Sequence, residues 1–180
     1  MKPIGLEDST VFVVAGDTAI GRLVALHFVR AGSQRIGILG SDATRAEAAA
    51  QAVFAAASGM WAVAAAGDLS SHSDAQRMVA ELSAALGDAD VVVNCQPDSN
   101  EVVGDVVRRA MVDRGDAVLV AVGSRDTEPT VEDARIRTVA REAGCPPEEL
   151  AAAMVKAARE AREYITARSN SSHADSDQPS

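Results

Sequence analysis

The sequence predicts a doubly wound α/β fold: three layers, α/β/α, with helices on both faces of a parallel sheet in strand order 3-2-1-4-5. Three observations carry this. Short Val- and Ile-rich runs alternate five times with stretches of helical period, joined by short connections. The runs are continuously apolar instead of alternating, as strands covered on both faces must be. Ala and Val dominate while aromatics make up 3% of the chain, which favours close helix-on-sheet packing. Right-handed crossovers then set the strand order. They also put the ligand crevice at the carboxyl ends of the first and fourth strands.

Residues 1–8 read as a loose leader before a strand at 11–15. A helix follows from about Thr18 to Ala31, with Ile20, Leu23, Val24, His27 and Phe28 on its inward stripe and Gly32 as its stop. His27 lies on that stripe, so it reads as a core or boundary imidazole and not a catalytic one. The second strand spans about Arg35–Leu39, and Ser41 or Asp42 can cap the Ala-rich helix that reaches about Ala57. Trp61–Ala65 is the third strand. Ser71 starts a helix through Leu86, where Met78, Val79, Leu82 and Leu86 face inward and Gly87 ends it. Asp90–Asn94 is the fourth strand. A helix over 99–114 repeats valines at helical spacing, and Ala117–Val122 is the fifth strand.

Beyond Ser124 the local signals favour a helix over 131–143, capped by Thr130, against a sixth strand in the same place. Gly144 and Pro146-Pro147 break it before a final helix from about Pro147 to Arg168. Residues 1–168 read as a single domain, and 169–180 as a polar tail without periodicity, expected to be disordered.

A net charge of −9 argues against nucleic acid or an anionic membrane as the main partner. No apolar run has membrane-spanning length and no basic-then-apolar leader opens the chain, so the expected setting is cytoplasmic. Cys95 and Cys145 stand far apart and the histidines are scattered, so no metal site is expected.

The stretch from Val11 to Arg22 carries the chemistry. A β-branched run, a turn of small residues and an amphipathic helix together make a phosphate cradle: the backbone approaches closely, and free N–H groups at the helix start receive negative charge. This stretch resembles the nucleotide-binding turn of the short-chain dehydrogenase/reductase family, a Rossmann-type fold. Thr-Gly-x-x-x-Gly-Ile-Gly of the family is matched by Val14-Ala15-Gly16-Asp17-Thr18-Ala19-Ile20-Gly21, followed by Arg22. Alanines replace two family glycines, at 15 and 19, and their methyl groups are expected to narrow the room for a pyrophosphate. Asp68-Leu69 is similar to the family's adenine-binding pair. Leu86 to Asn94 is similar to the segment leading into its Asn-Asn-Ala-Gly, of which Asn94 alone remains before Cys95-Gln96-Pro97. Val118 to Ser124 resembles the fifth strand that carries the catalytic serine, here Ser124.

The resemblance implies a nicotinamide dinucleotide, NAD or NADP, and oxidoreduction of a carbonyl/alcohol pair. The family's Tyr-x-x-x-Lys dyad is absent: the tyrosine is Tyr164, the lysines are Lys2 and Lys156, and no Tyr lies four residues before a Lys. Ala134 to Ala140 looks like the family's sixth strand, and Cys145 to Ala167 like its late helix, as if the catalytic helix and lid were deleted. Tyr164, one turn from Arg168, is the one candidate for a rebuilt proton donor. Three functions follow: an unconventional oxidoreductase using Ser124 and Asn94; a pseudoenzyme that binds a nucleotide or a protein; or a cofactor domain that needs a partner chain. At the second strand's end Gly40 stands where an NAD-selecting acid would fall. Ser41 can hydrogen-bond either form, and Arg22 and Arg45 as phosphate partners tilt the choice slightly toward NADP. The Val-rich 99–114 helix makes a homodimer plausible.

Overall fold

The computed structural model describes residues 5–96, 101–112, 116–123, 135–140 and 145–174. Strands β1 (Thr10–Val14), β2 (Arg35–Gly40), β3 (Trp61–Ala66), β4 (Val91–Asn94), β5 (Val118–Gly123) and β6 (Ile136–Ala140) form one sheet in order β3-β2-β1-β4-β5-β6, every pair parallel. The helices are α1 (Ala19–Arg30), α2 (Ala43–Ala56), α3 (His72–Leu86), α4 (Glu101–Val112) and α5 (Pro147–Ala174).

Successive strand residues serve opposite faces, and this splits the core in two. Val11, Val13, Ile36, Ile38, Val91 and Val93 pack with α1, α2 and α5 on one side. Phe12, Val14, Leu39, Val92 and Leu119 pack with α3 and α4 on the other. Caps stand where the sequence places them. The side chains of Thr18, Asp42 and Ser71 accept the N–H groups of Gly21, Arg45 and Asp74 respectively, and Gly87 closes α3 with a left-handed φ of 87°.

Two expectations need correction. Residues 136–140 are not helix but a sixth strand, paired with β5 from Leu119↔Ile136 to Gly123↔Ala140. The outer edge of β5 offers a row of backbone partners, and Ile136, Thr138 and Val139 suit a pleated strand. Val139 packs beside Val122 against the α1/α5 side of the core, so tertiary pairing overrides the local charge pattern. Residues 131–134 and 141–144 lie outside the described residues. The final helix also runs past Arg168 to Ala174. Adding a residue to a formed helix fixes one residue per bond, so the Ser/Asn-rich stretch extends an existing helix more readily than it would start one.

Three of the α4 valines, Val103, Val106 and Val107, are buried against the chain's own sheet. A second copy docking on α4 would therefore have to use Val102 and the flanking positions. Among the described residues no helix is long and apolar enough to cross a membrane, and no group of three His, Cys, Asp or Glu residues could hold a metal.

Candidate functional site

The register aligns the carboxyl ends of the central strands. Val14 lies opposite Leu39 on one side and Asn94 on the other, and Asn94 lies opposite Ala121. The β1–α1 turn sits over this row. Gly16 N–H donates to Leu39 O at 3.0 Å and Cys95 N–H to Val14 O at 3.2 Å, so β2 and β4 both hold the turn.

Within the turn, Thr18 Oγ1 donates to Ala15 O at 2.7 Å and accepts from Gly21 N–H at 3.1 Å. Arg22 N–H continues the helix by donating to Thr18 O. Ala19 and Ile20 are the first-turn residues left over: no hydrogen bond among the described residues engages their N–H groups. These are the donors an anion would meet at the start of α1.

Gly21 is glycine by necessity, since a Cβ there would stand 2.1 Å from Ala15 O. Such closeness brings α1 tight against β1. Ala15 takes the left-handed conformation, φ 56°, that a glycine would hold without strain. Its methyl is buried with Phe12, Val14 and Leu39 on the α3/α4 side. The expectation that both alanines narrow the crevice is thus corrected: the Ala15 methyl points into the core, and only Ala19 is exposed. The turn keeps the shape a diphosphate requires, and the residues present fit that group.

Asp68 is exposed at the end of β3, and its carboxylate accepts both the N–H and the hydroxyl of Ser70. The Ser70 hydroxyl, then the Ser70 N–H, holds the Asp68 carboxyl below its usual range. The Leu69 side chain belongs to the core, so only its backbone is available to a ligand. Asn94 Oδ1 accepts Gln96 N–H at 3.0 Å, and Gln96 Oε1 is buried without a hydrogen-bond partner among the described residues. Sequence reasoning passed over Gln96, although it replaces a family residue directly after β4. Ser124 lies outside the described residues.

Tyr164 is not brought to this crevice. Its neighbour Arg162 is buried and donates from Nη1 to Asp116 O at 2.8 Å, and Asp116 precedes the first residue of β5. This part of α5 therefore packs near the amino end of β5. Tyr164 is 45% exposed. His27 is a boundary residue as expected, with Nε2 2.6 Å from Glu148 Oε2, joining α1 to α5. A cavity of about 430 Å³ beside Glu7, Arg35, Trp61 and Leu86 also opens at the amino end and takes no part in the crevice.

At the β2–α2 loop, Asp42 acts as the helix cap, as the sequence predicts, with Oδ1 2.8 Å from Arg45 N. Arg45, read from the sequence as a partner of a 2′-phosphate, and Ser41, read as a partner of either cofactor, instead converge on Asp17. Its Oδ2 accepts Ser41 N–H, Ser41 Oγ and Asp42 N–H, each at 3.1 Å, and Arg45 Nη2 at 3.4 Å. Arg22 is exposed on α1. Read from the sequence alone, Asp17 has no role of its own. The available signal was an acid amid small turn residues, paired with a glycine where an acid is expected at the end of β2.

The family model for short chain dehydrogenase matches residues 9–97. Among solved structures the chain is similar to a metagenomic short-chain oxidoreductase in complex with NADP. That match has 17% identity and a TM-score of 0.68, covering 86% of this chain and 92% of that one. It is similar also to a short-chain type dehydrogenase/reductase from Mycobacterium ulcerans, at 24% identity and TM-score 0.57, covering 66% of this chain and 52% of that one. A variant of actinorhodin polyketide ketoreductase with NADPH matches at 19% identity and TM-score 0.56, covering 66% and 54% respectively. The chain thus spans about half the length of the latter two proteins. These structural likenesses show the fold. No curated protein matches the sequence. Through residues 9–97, and in its turn and sheet order, this chain is similar to the short chain dehydrogenase family.

Proposed function

We propose that this chain binds a nicotinamide dinucleotide at the carboxyl ends of β1 and β4, and does so without turnover by its own side chains. One observation carries the binding half: the β1–α1 turn keeps a left-handed residue at position 15 and leaves Ala19 and Ile20 N–H without acceptors among the described residues. Holding a non-glycine residue there costs on the order of 1 kcal/mol, a cost that strained functional turns characteristically carry. The amides receive diphosphate charge, the Asp68 edge faces the adenine, and Asn94 borders the nicotinamide end. The solved relatives that hold NADP or NADPH support the coarse reading of the ligand.

The loss of turnover rests on the sequence between β5 and β6. Only residues 124–135 join these strands, and they contain neither tyrosine nor lysine. A bound dinucleotide would supply hydride, but no phenol–ammonium pair stands ready to move the matching proton. A second reading is an active oxidoreductase on a carbonyl/alcohol pair, with Ser124 and Asn94 contributing. It is favoured by the NADP-bound short-chain oxidoreductase that this chain matches along 92% of that protein's length.

Calorimetric titration of the purified chain with NADH and NADPH, followed by a carbonyl and alcohol panel read at 340 nm, separates these readings. Binding with a flat absorbance trace is the expected result. Turnover by the chain alone establishes the second reading, and turnover only with a co-purifying protein makes this a cofactor domain of a two-chain enzyme. Binding of neither nucleotide refutes the proposal.

A further inference from the structure

We infer that Asp17 selects between the two nicotinamide dinucleotides, and selects NAD(H); this rests on the dinucleotide-binding reading. The carboxylate is 1% exposed, and its Oδ2 already collects the donors of the β2–α2 loop: two backbone N–H groups, the Ser41 hydroxyl and the Arg45 guanidinium. Those donors are what a phosphate on the ribose would need at this place: a helix start, a hydroxyl and a fork of positive charge. The chain has filled the position with its own anion.

Gly40 shows that the arrangement is built in. A Cβ on Gly40 would stand 2.8 Å from Asp17 Cβ and 2.9 Å from Asp17 Cγ. The Ala46 Cβ of α2 would stand 2.9 Å away as well, so the last residue of β2 has no side chain because Asp17 and α2 together occupy its volume. The acid that a dinucleotide fold places at the end of β2 to hold ribose hydroxyls arrives here from another segment.

The second carboxylate oxygen completes the case. Asp17 Oδ1 is buried and has no hydrogen-bond partner among the described residues. A buried acceptor left unpaired is uncommon and calls for a donor. The 2′-hydroxyl of NAD is such a donor. A 2′-phosphate is not: it brings negative charge against a carboxylate whose surrounding donors are engaged.

Titration calorimetry of the full chain with NADH and with NADPH tests this directly. The expected result is NADH binding at least about tenfold tighter, equivalent to ~1.4 kcal/mol. Asp17→Asn keeps the shape and removes the charge, so the variant should bind NADPH more tightly and NADH less tightly, bringing the two within about threefold. Circular dichroism melting checks that the variant folds, and the wild-type ratio decides the matter if it does not. Equal affinities in the wild type, or an Asp17→Asn effect that is the same for both nucleotides, overturns the inference while leaving dinucleotide binding intact. Binding of neither nucleotide removes the underlying reading and this inference with it.

Discussion

The Ala15 carbonyl accepts the Thr18 hydroxyl at 2.7 Å while the Ala15 backbone sits at φ 56°. The bond and the strain are linked, because the left-handed residue turns its carbonyl toward the start of α1.

This makes Ala15→Gly close to neutral. Relieving the left-handed alanine gains about 1 kcal/mol, while losing a buried methyl costs about 0.8 kcal/mol. Ala25, equally buried but mid-helix in α1, offers the contrast. Ala25→Gly should cost about 2 kcal/mol, from lost burial and lost helix propensity together. Urea denaturation of the two variants reads the difference, and equal losses would show that position 15 carries no strain.

Removing the Tyr164 hydroxyl should leave nucleotide binding unchanged. The part of α5 that carries Tyr164 packs near the amino end of β5, through the Arg162–Asp116 bond, and away from the carboxyl ends that form the crevice. Calorimetry on Tyr164→Phe should return wild-type affinities within about twofold, under ~0.5 kcal/mol. A larger loss would mean that α5 delivers its tyrosine to the site after all.

The two cysteines should differ sharply in reactivity. Burial pushes the Cys95 thiol up to about 12, while Cys145 is half-buried at the start of α5. The thiolate is the reactive form, so a thiol reagent at pH 8 should label Cys145 alone until denaturant is added. The unfolded chain ionises Cys95 near the ordinary value of 9.0, whereas the folded chain resists until about 12. The Cys95 contribution to stability is thus present below pH 9 and declines as pH rises through that window. Cys95→Ala should flatten this decline in an alkaline denaturation series.

At the acid end, the Ser70 hydroxyl is the first cause of the lowered Asp68 carboxyl. A depressed carboxyl favours the fold above its unfolded value and loses that effect as pH falls through the folded one. In Ser70→Ala the Asp68 carboxyl should move back toward 3.8, read by carbon-13 NMR titration of the side chain. An unmoved value would put the cause elsewhere in the turn.

Most of the architecture was legible because its signals are local. Thr18, Asp42 and Ser71 cap helices beside the strands they follow, and the Val-rich strands announce a sheet buried on both faces. Strand β6 was legible only through the resemblance of Ala134 to Ala140 to the family's sixth strand, and not from its local signals. At the sheet edge, Ile136–Ala140 is decided by pairing with β5, and the surrounding charges point to helix when read alone. The β1–α1 turn could be read from its small residues, yet the loop contacts of Asp17 could not. Its partners Ser41, Asp42 and Arg45 follow a different strand, and only the Val14↔Leu39 register brings them to one carboxylate. The burial of the Ala15 methyl was hidden for a related reason, since the direction of a Cβ depends on a φ that composition does not reveal.

The reach of α5 has a bearing on how the protein is made. Its Leu150, Met154 and Ala158 share one packed cluster with Val24 and Phe28 of α1. A ribosome delivers the cradle well before its supporting strut, so during synthesis the β1–α1–β2 unit waits with an oily flank in water. A nascent chain halted before Pro147 should thus be a client for chaperones, even though every backbone amide of the cradle has already emerged.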